Sequence, residues 1–141
     1  MAEYLEFARS HPYLIFGFLG VLGFTIWSEI SRLNRKYQQI GVNDAVRLLN
    51  KDNVLLLDVR EDKEVDGGVI QGAKHIPVSE LKSRMSELTK YRNNPVLVYC
   101  RSGSRSAHVC NSLTKEGFED VSNLAGGVLA WESANLPLVK K

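Results

Sequence analysis

The sequence predicts an α/β domain preceded by one N-terminal transmembrane helix. Residues 10–28 contain no Asp, Glu, Lys or Arg, which is typical of a helix that spans a membrane. Behind this segment, short continuous apolar runs alternate with stretches in which apolar residues recur at helical spacing. Such alternation of strands and helices is typical of a buried parallel sheet with helices packed on it.

The composition excludes several classes of protein. The chain has 141 residues, of which 44% are hydrophobic and 24% are charged, as in ordered proteins. Two cysteines and three histidines, widely scattered, exclude a disulfide-stapled scaffold and show no zinc-ligand spacing. A net charge of +2 does not indicate nucleic-acid binding. We therefore expect no metal, no cofactor and no nucleic-acid partner.

Residues 10–28 form the predicted membrane span. A helix of this length measures about 28 Å, close to the thickness of the hydrocarbon core. Tyr13 and Trp27 lie near its two ends, where aromatic side chains favour the membrane interface. A core helix of a small domain would have a polar face, and a cleaved signal peptide would have a basic start and a small-residue cleavage site. The segment has none of these features, so we predict an uncleaved anchor.

Flanking charge predicts the orientation of the span. Arg9 is the one basic side chain before it, whereas Arg32, Arg35 and Lys36 follow closely behind it. Positively charged flanks remain on the cytoplasmic side of a membrane. This places the N-terminal tail outside and the domain in the cytoplasm.

Three glycines of the span lie three residues apart, at positions 17, 20 and 23. They either form a groove in which a helix of another membrane protein packs, or are incidental small residues. Both alternatives stay open at the level of sequence.

The boundary of the domain follows from the residues behind the span. Leu33, Tyr37 and Ile40 have helical spacing and predict a juxtamembrane helix. We therefore assign residues 1–40 to the tail, span and juxtamembrane helix, and residues 41–141 to the folded domain.

The first half of the domain is predicted to contain two helices and two strands. Asn43 can cap a helix, because apolar residues recur behind it at helical spacing. Residues 54–58 form a continuous apolar run typical of a buried strand, and residues 75–76 form a second, short strand. Ser79 is predicted to cap a helix over residues 80–88.

The second half repeats the alternation. Residues 96–99 form a fully apolar strand, and a helix over residues 107–115 ends before Gly117, a residue suited to a helix C-terminus. Residues 121–124 form the last strand, and residues 128–134 a closing helix.

The loop after strand 96–99 contains the candidate chemistry. Its first residue is Cys100, and the five residues that follow are Arg101, Ser102, Gly103, Ser104 and Arg105. Backbone N–H groups of a loop rich in Ser and Gly converge as an anion nest, which the helix N-terminus and two arginines reinforce. The same field lowers the pKa of a thiol. We predict that Cys100 is the nucleophile and that the five residues bind an anionic substrate, whereas Cys110, inside the next helix, is inert.

Here the chain resembles the rhodanese family. Four segments match in order: LDVRE at 57–61, GAKHIP at 72–77, CRSGSRS at 100–106 and NLAGGVLAW at 123–131. The resemblance covers residues 41–138 and implies a five-stranded parallel sheet flanked by helices. It also implies that Cys100 carries sulfane sulfur as a persulfide and, with the span, that the protein lies in a bacterial inner membrane.

The sequence departs from the family at one position, and the length of its cysteine loop distinguishes it from related phosphatases. Family members commonly have Gly-His-Ile where this chain has Gly-Val-Ile at 68–70. Protein tyrosine phosphatases and related phosphatases with a rhodanese-like fold have C-x5-R, whereas Arg105 makes C-x4-R here. The shorter loop is typical of single-sulfur carriers and argues against phosphatase or arsenate reductase chemistry.

The neighbouring charged residues have predicted roles. Arg101, beside the nucleophile, is expected to bind the anionic donor, and Arg105 either binds it too or braces the loop. Asp58 is expected to accept hydrogen bonds from nearby loop N–H groups, and Arg60 to pair with a nearby acid; both support the site.

Two functions are compatible with these features. The leading one is a membrane-anchored thiosulfate or persulfide sulfurtransferase, with a small sulfur-donor anion and a thiol or protein acceptor as partners. The alternative is an interaction module, tethered to the bilayer, that binds another membrane protein and has little or no catalytic activity.

Overall fold

The computed structural model describes residues 1–141 and divides into two compact units, Met1–Arg35 and Lys36–Lys141. The first unit consists of α1 (Ala2–Ser10) and α2 (Pro12–Leu33). Proline suits the first turn of α2, because a backbone N–H at that position would have no helical carbonyl to bind. None of the 22 residues of α2 is buried, and the helix is long and apolar enough to cross a membrane.

The second unit contains five strands: β1 (Gln38–Ile40), β2 (Leu55–Asp58), β3 (Lys74–His75), β4 (Val96–Tyr99) and β5 (Val121–Leu124). Its α-helices are α3 (Val42–Leu49), α4 (Asp62–Val65), α5 (Val78–Arg84), α6 (Ser104–Lys115) and α7 (Gly127–Ser133). The strands form one sheet in the order β1-β5-β4-β2-β3, and all four pairings are parallel. This confirms the predicted parallel five-stranded sheet.

Both faces of the sheet are covered. Leu55 and Leu57 pack in one apolar cluster with residues of α5 and α6, whereas Leu56 packs in a second cluster with Trp131 of α7. Successive side chains of a strand point to opposite faces, so a strand covered on both sides is apolar throughout. This is why the continuous apolar runs predicted β2 and β4 well.

The predicted juxtamembrane helix is wrong. Helix α2 ends at Leu33, and residues 38–40 form β1 at the edge of the sheet. Ile40 accepts a hydrogen bond from the Ala125 N–H at 2.9 Å, and the Tyr37 side chain is buried in the core of the domain. Tyr37 and Ile40 are therefore apolar because they pack in the folded domain, and not because they lie on one face of a helix.

Three helices begin two or three residues earlier than predicted, and one of them ends earlier. Gly41, rather than Asn43, is the N-cap of α3, and Pro77, rather than Ser79, is the N-cap of α5, which ends at Arg84 and is followed by two 3-10 turns. Helix α6 begins at Ser104, so the second half of the cysteine loop is helical.

The departure at residue 69 is accommodated by the C-terminal segment. The backbones of Val69 and Val139 exchange two hydrogen bonds of 2.8 Å, and the Val69 side chain is buried. An apolar side chain fits this packed position without needing the polar partner that a buried histidine requires.

The parallel topology determines where the site lies. Asp58 and Tyr99 are paired residues at the ends of β2 and β4, so the segments that follow both strands emerge at one edge of the sheet. Sites of α/β sheets lie at this edge, beyond the carboxyl ends of the strands. Cys100 is the residue directly after β4.

Candidate active site

The candidate nucleophile Cys100 is surrounded by hydrogen-bond donors of its own loop. Its sulfur lies 3.1 Å from the backbone nitrogen of Gly103, and 3.4 Å and 3.3 Å from the backbone nitrogen and the hydroxyl oxygen of Ser106. Gly103 has φ +99°, a left-handed conformation that favours glycine and turns the loop around the sulfur. These donors form the concave arrangement that the loop composition predicts.

Hydrogen bonding lowers the pKa of the Cys100 thiol. Burial acts in the opposite direction, because it disfavours the charged thiolate. The donors of Ser106, Gly103 and Ser102 outweigh burial and bring the pKa below the ordinary value of a thiol. The thiolate is the nucleophilic form, so the loop favours the reactive state of this sulfur.

The five residues predicted to bind substrate have different surroundings. Gly103 and Ser102 present backbone N–H groups to the sulfur, and Ser104 is the first residue of α6. Arg101 is exposed beside the loop, whereas Arg105 binds a carboxylate on α4. The polar side chains that line the cleft next to the loop, of about 180 Å³, are Arg60, Glu64, Arg101 and Glu132.

Asp58 and Arg60 form a buried ion pair beside the site. The Asp58 carboxylate accepts the backbone N–H of Arg60 at 2.9 Å and its guanidinium at 2.7 Å. Arg60 also donates to the Gly68 carbonyl at 2.8 Å. Burial works against the charge of Arg60, but the Asp58 carboxylate outweighs it and raises the pKa of the guanidinium. The pair ties the end of β2 to the segment that follows α4.

Arg105 is engaged by Glu64 of α4. Two guanidinium nitrogens of Arg105 lie 2.7 Å and 2.6 Å from the two carboxylate oxygens of Glu64. Arg105 lowers the pKa of Glu64 to about 2, burial opposes this shift, and the Glu61 N–H donates to the same carboxylate. The bidentate pair joins α4 to the start of α6, which favours the bracing role for Arg105.

Glu64→Gln should therefore lower stability in a pH-dependent way. The folded-state pKa of Glu64 lies below its usual value, so its stabilisation is complete above about pH 4.5 and is lost as the pH falls towards 2. We expect a loss of about 1–2 kcal/mol at pH 7, after solvent screening of this partly exposed pair, and roughly half of that loss or less at pH 3. Unfolding of the full chain in detergent at both pH values measures the difference.

Asp66→Asn is the matched control, because Asp66 is exposed at the end of the same helix. It should leave stability unchanged at both pH values. A Glu64→Gln loss that is equal at pH 7 and pH 3 would contradict the bracing role of the ion pair.

Three residues of the candidate site were not predicted from the sequence: Ser106, Asn123 and Gly127. The Ser106 N–H donates to the sulfur, and Asn123 contacts both the Ser106 hydroxyl and the Gly103 carbonyl. Gly127 begins α7, whose N–H groups at Val128 and Leu129 bind the loop carbonyls. Asn123 and Gly127 both lie in the segment 123–131, which had marked the resemblance without assigning them a role.

Cys110 has the opposite environment to Cys100. Its side chain is buried in the apolar cluster between the sheet and α6, and burial raises its pKa to about 12. It therefore remains a thiol at neutral pH. No group of three His, Cys, Asp or Glu side chains in the structure is arranged to hold a metal ion.

The chain is similar to proteins of one family. A model of the rhodanese-like domain matches residues 42–134. The uncharacterized protein YibN of Escherichia coli is 33% identical over 141 residues, 99% of each chain. A protein named sulfurtransferase from Allochromatium vinosum is 42% identical over 93 residues, which are 66% of this chain and 85% of that protein.

A solved structure has the same architecture. The rhodanese-related protein of Thermoplasma volcanium superimposes with a TM-score of 0.67 at 30% identity, covering 74% of this chain and all of that chain. Because the sheet, the cysteine loop and the family match agree, the chain belongs to the rhodanese-like domain family.

Proposed function

We propose that this protein is a membrane-anchored sulfurtransferase that carries sulfane sulfur as a persulfide on Cys100. The observation that supports it most is the set of donors around the Cys100 sulfur, which favours a thiolate. The relative from Allochromatium vinosum that is named a sulfurtransferase supports the same chemistry.

The first step loads the protein with sulfur. The Cys100 thiolate attacks the outer sulfur of thiosulfate, a Cys100 S–S bond forms, and the bond to the sulfite group breaks with its electron pair. Sulfite leaves, and the outer sulfur of the persulfide retains one negative charge. Arg101, exposed in the cleft beside the loop, is the residue we assign to binding the donor anion.

The second step unloads it. An acceptor thiolate attacks the outer sulfur of the persulfide, takes it, and releases Cys100 as the thiolate. Neither step consumes an oxidant or a reductant, because sulfane sulfur passes between nucleophiles. The N–H groups of Ser102, Gly103 and Ser106 hold the negative sulfur during the exchange, while Arg105, Asp58 and Arg60 brace the loop.

The mass of the intact chain tests this function. The full-length protein in detergent, incubated with thiosulfate, should gain one sulfur atom that maps to Cys100 and is released by a thiol reductant. A chain that gains no sulfur would instead support the alternative, an interaction module whose span binds another membrane protein.

The proposed orientation has a separate test. If Arg32, Arg35 and Lys36 hold the C-terminal side in the cytoplasm, protease added to intact spheroplasts should spare the domain, and protease added to inverted vesicles should digest it. A variant with these three residues replaced by glutamine should lose the preference. Digestion of the wild-type domain from outside would reverse the assignment.

A further inference from the structure

Asn123 lies behind the cysteine loop, at the third position of β5, and its side chain is buried. Its amide nitrogen is 3.0 Å from the Gly103 carbonyl oxygen and 3.1 Å from Oε1 of Gln39 in β1. Its amide oxygen is 2.5 Å from the Ser106 hydroxyl, which in turn is 3.3 Å from the Cys100 sulfur. A continuous hydrogen-bonded chain therefore runs from the sheet to the sulfur.

The contacts determine how Asn123 is oriented. A backbone carbonyl can only accept, so the amide nitrogen must face Gly103, and the amide oxygen then faces Ser106. Because that oxygen also only accepts, the Ser106 hydroxyl donates its proton to Asn123. A hydroxyl has one proton, so it cannot donate to the sulfur at the same time.

This single proton has two possible acceptors. While Cys100 is a thiol, the Ser106 proton stays on the Asn123 side, and the hydroxyl oxygen can accept the S–H. When Cys100 releases its proton to solvent, the Ser106 O–H can turn to the negative sulfur. A neutral amide permits this turn, whereas a carboxylate at the same place would retain the proton and repel the thiolate.

Asn123 also holds the second donor. Its amide nitrogen binds the carbonyl of Gly103, the residue whose own N–H is 3.1 Å from the sulfur. Gln39 binds the same amide nitrogen and limits its rotation. One buried side chain thus positions both the hydroxyl and a backbone donor of the nucleophile.

We propose that Asn123 is a positioning residue for sulfur transfer, which acts on Cys100 through the Ser106 hydroxyl and the Gly103 backbone. This inference rests on the proposed function for its catalytic consequence, but the effect on the sulfur does not depend on it.

The test measures ionisation of Cys100 in the full-length protein in detergent. The ultraviolet absorbance of the thiolate is followed against pH, and the matching Cys100→Ser protein is subtracted. Asn123→Ala should move the midpoint to higher pH by about one unit, because the Gly103 carbonyl loses its partner and the Gly103 N–H is no longer held against the charged sulfur. Below that midpoint, kcat for transfer from thiosulfate should fall about tenfold while KM changes little.

The other ionisable groups stay constant in this comparison. The charge of Cys100 acts on Arg105 and Cys110 of α6, and the charged side chains of the adjacent cleft are Arg60, Glu64, Arg101 and Glu132. All are retained in the Asn123 variants. Ser122→Ala is the control, since Ser122 is buried in the same strand and its hydroxyl is not part of the chain to the sulfur.

Two further proteins keep the test decisive. Asn123→Asp preserves shape and should raise the midpoint more than Asn123→Ala, which covers the case in which the alanine variant does not fold. In Ser106→Ala/Asn123→Ala the shift should be smaller than the sum of the two single shifts, because Asn123 acts partly through Ser106.

An unchanged midpoint in a folded Asn123→Asp protein would overturn the positioning role, even if wild type transfers sulfur. A shifted midpoint in a protein that takes up no sulfur would support that role and refute the proposed function instead.

Discussion

Cys100→Ser should abolish sulfur transfer from thiosulfate to cyanide, lowering the rate by about 10³-fold or more. An oxygen nucleophile cannot form the persulfide, so the loaded intermediate does not exist in this variant. The donors around position 100 remain, and the fold should be unchanged, because serine is close to cysteine in size. Steady-state rates with thiosulfate, together with a melting curve, measure both expectations.

Cys110→Ala is the matched control for this experiment. It removes the other thiol without burying a hydroxyl in the apolar cluster between the sheet and α6. We expect most of the activity to survive, with a modest loss of stability from the small cavity. Transfer that persists in Cys100→Ser, or that is lost in a folded Cys110→Ala protein, would reverse the assignment of the nucleophile.

Gly127→Ala should be the most damaging substitution outside the loop. Gly127 has φ +58°, and a Cβ there would lie 2.5 Å from the Arg101 carbonyl oxygen. The Val128 and Leu129 N–H groups bind the carbonyls of Cys100 and Arg101 at 2.9 Å and 3.2 Å. A Cβ at Gly127 would push these N–H groups and the loop carbonyls apart. We expect a loss of about 2–5 kcal/mol in stability, from backbone strain and overpacking together.

The activity of Gly127→Ala should fall together with its stability. A displacement of about 1 Å at the nucleophile is enough to reduce the rate about 10²-fold. Unfolding of the full chain in detergent gives the first quantity, and the rate per folded molecule gives the second.

Gly117→Ala separates strain from the close contact. Gly117 also has a left-handed φ, of +92°, but nothing lies within 4 Å of its added Cβ. It should cost only about 1–2 kcal/mol and leave the rate per folded molecule unchanged. If both alanine variants behave alike, the contact between α7 and the cysteine loop does not control the site.

The sequence by itself determined the central strands and the place of the cysteine. The apolar runs predicted β4 at its observed bounds and β2 to within one residue, because strands buried on both faces are largely apolar. The strand predicted over residues 121–124 also matches β5, although its two central residues are polar. The Ser- and Gly-rich composition of the cysteine loop indicated a ring of backbone donors, and the Gly103 and Ser106 N–H groups occupy such positions. These are local properties, decided by residues close in the chain.

Only the tertiary structure decided the rest. Gln38–Ile40 is a strand because it pairs with β5, a partner more than 80 residues away, and its two glutamines have no strand pattern of their own. Arg105 meets Glu64 across 41 residues, and Asn123 meets Gln39 across 84. No local propensity encodes such contacts, because they form when the folded sheet brings distant segments to one edge. The cysteine loop was therefore predictable from sequence, whereas the distant residues that contact it were not.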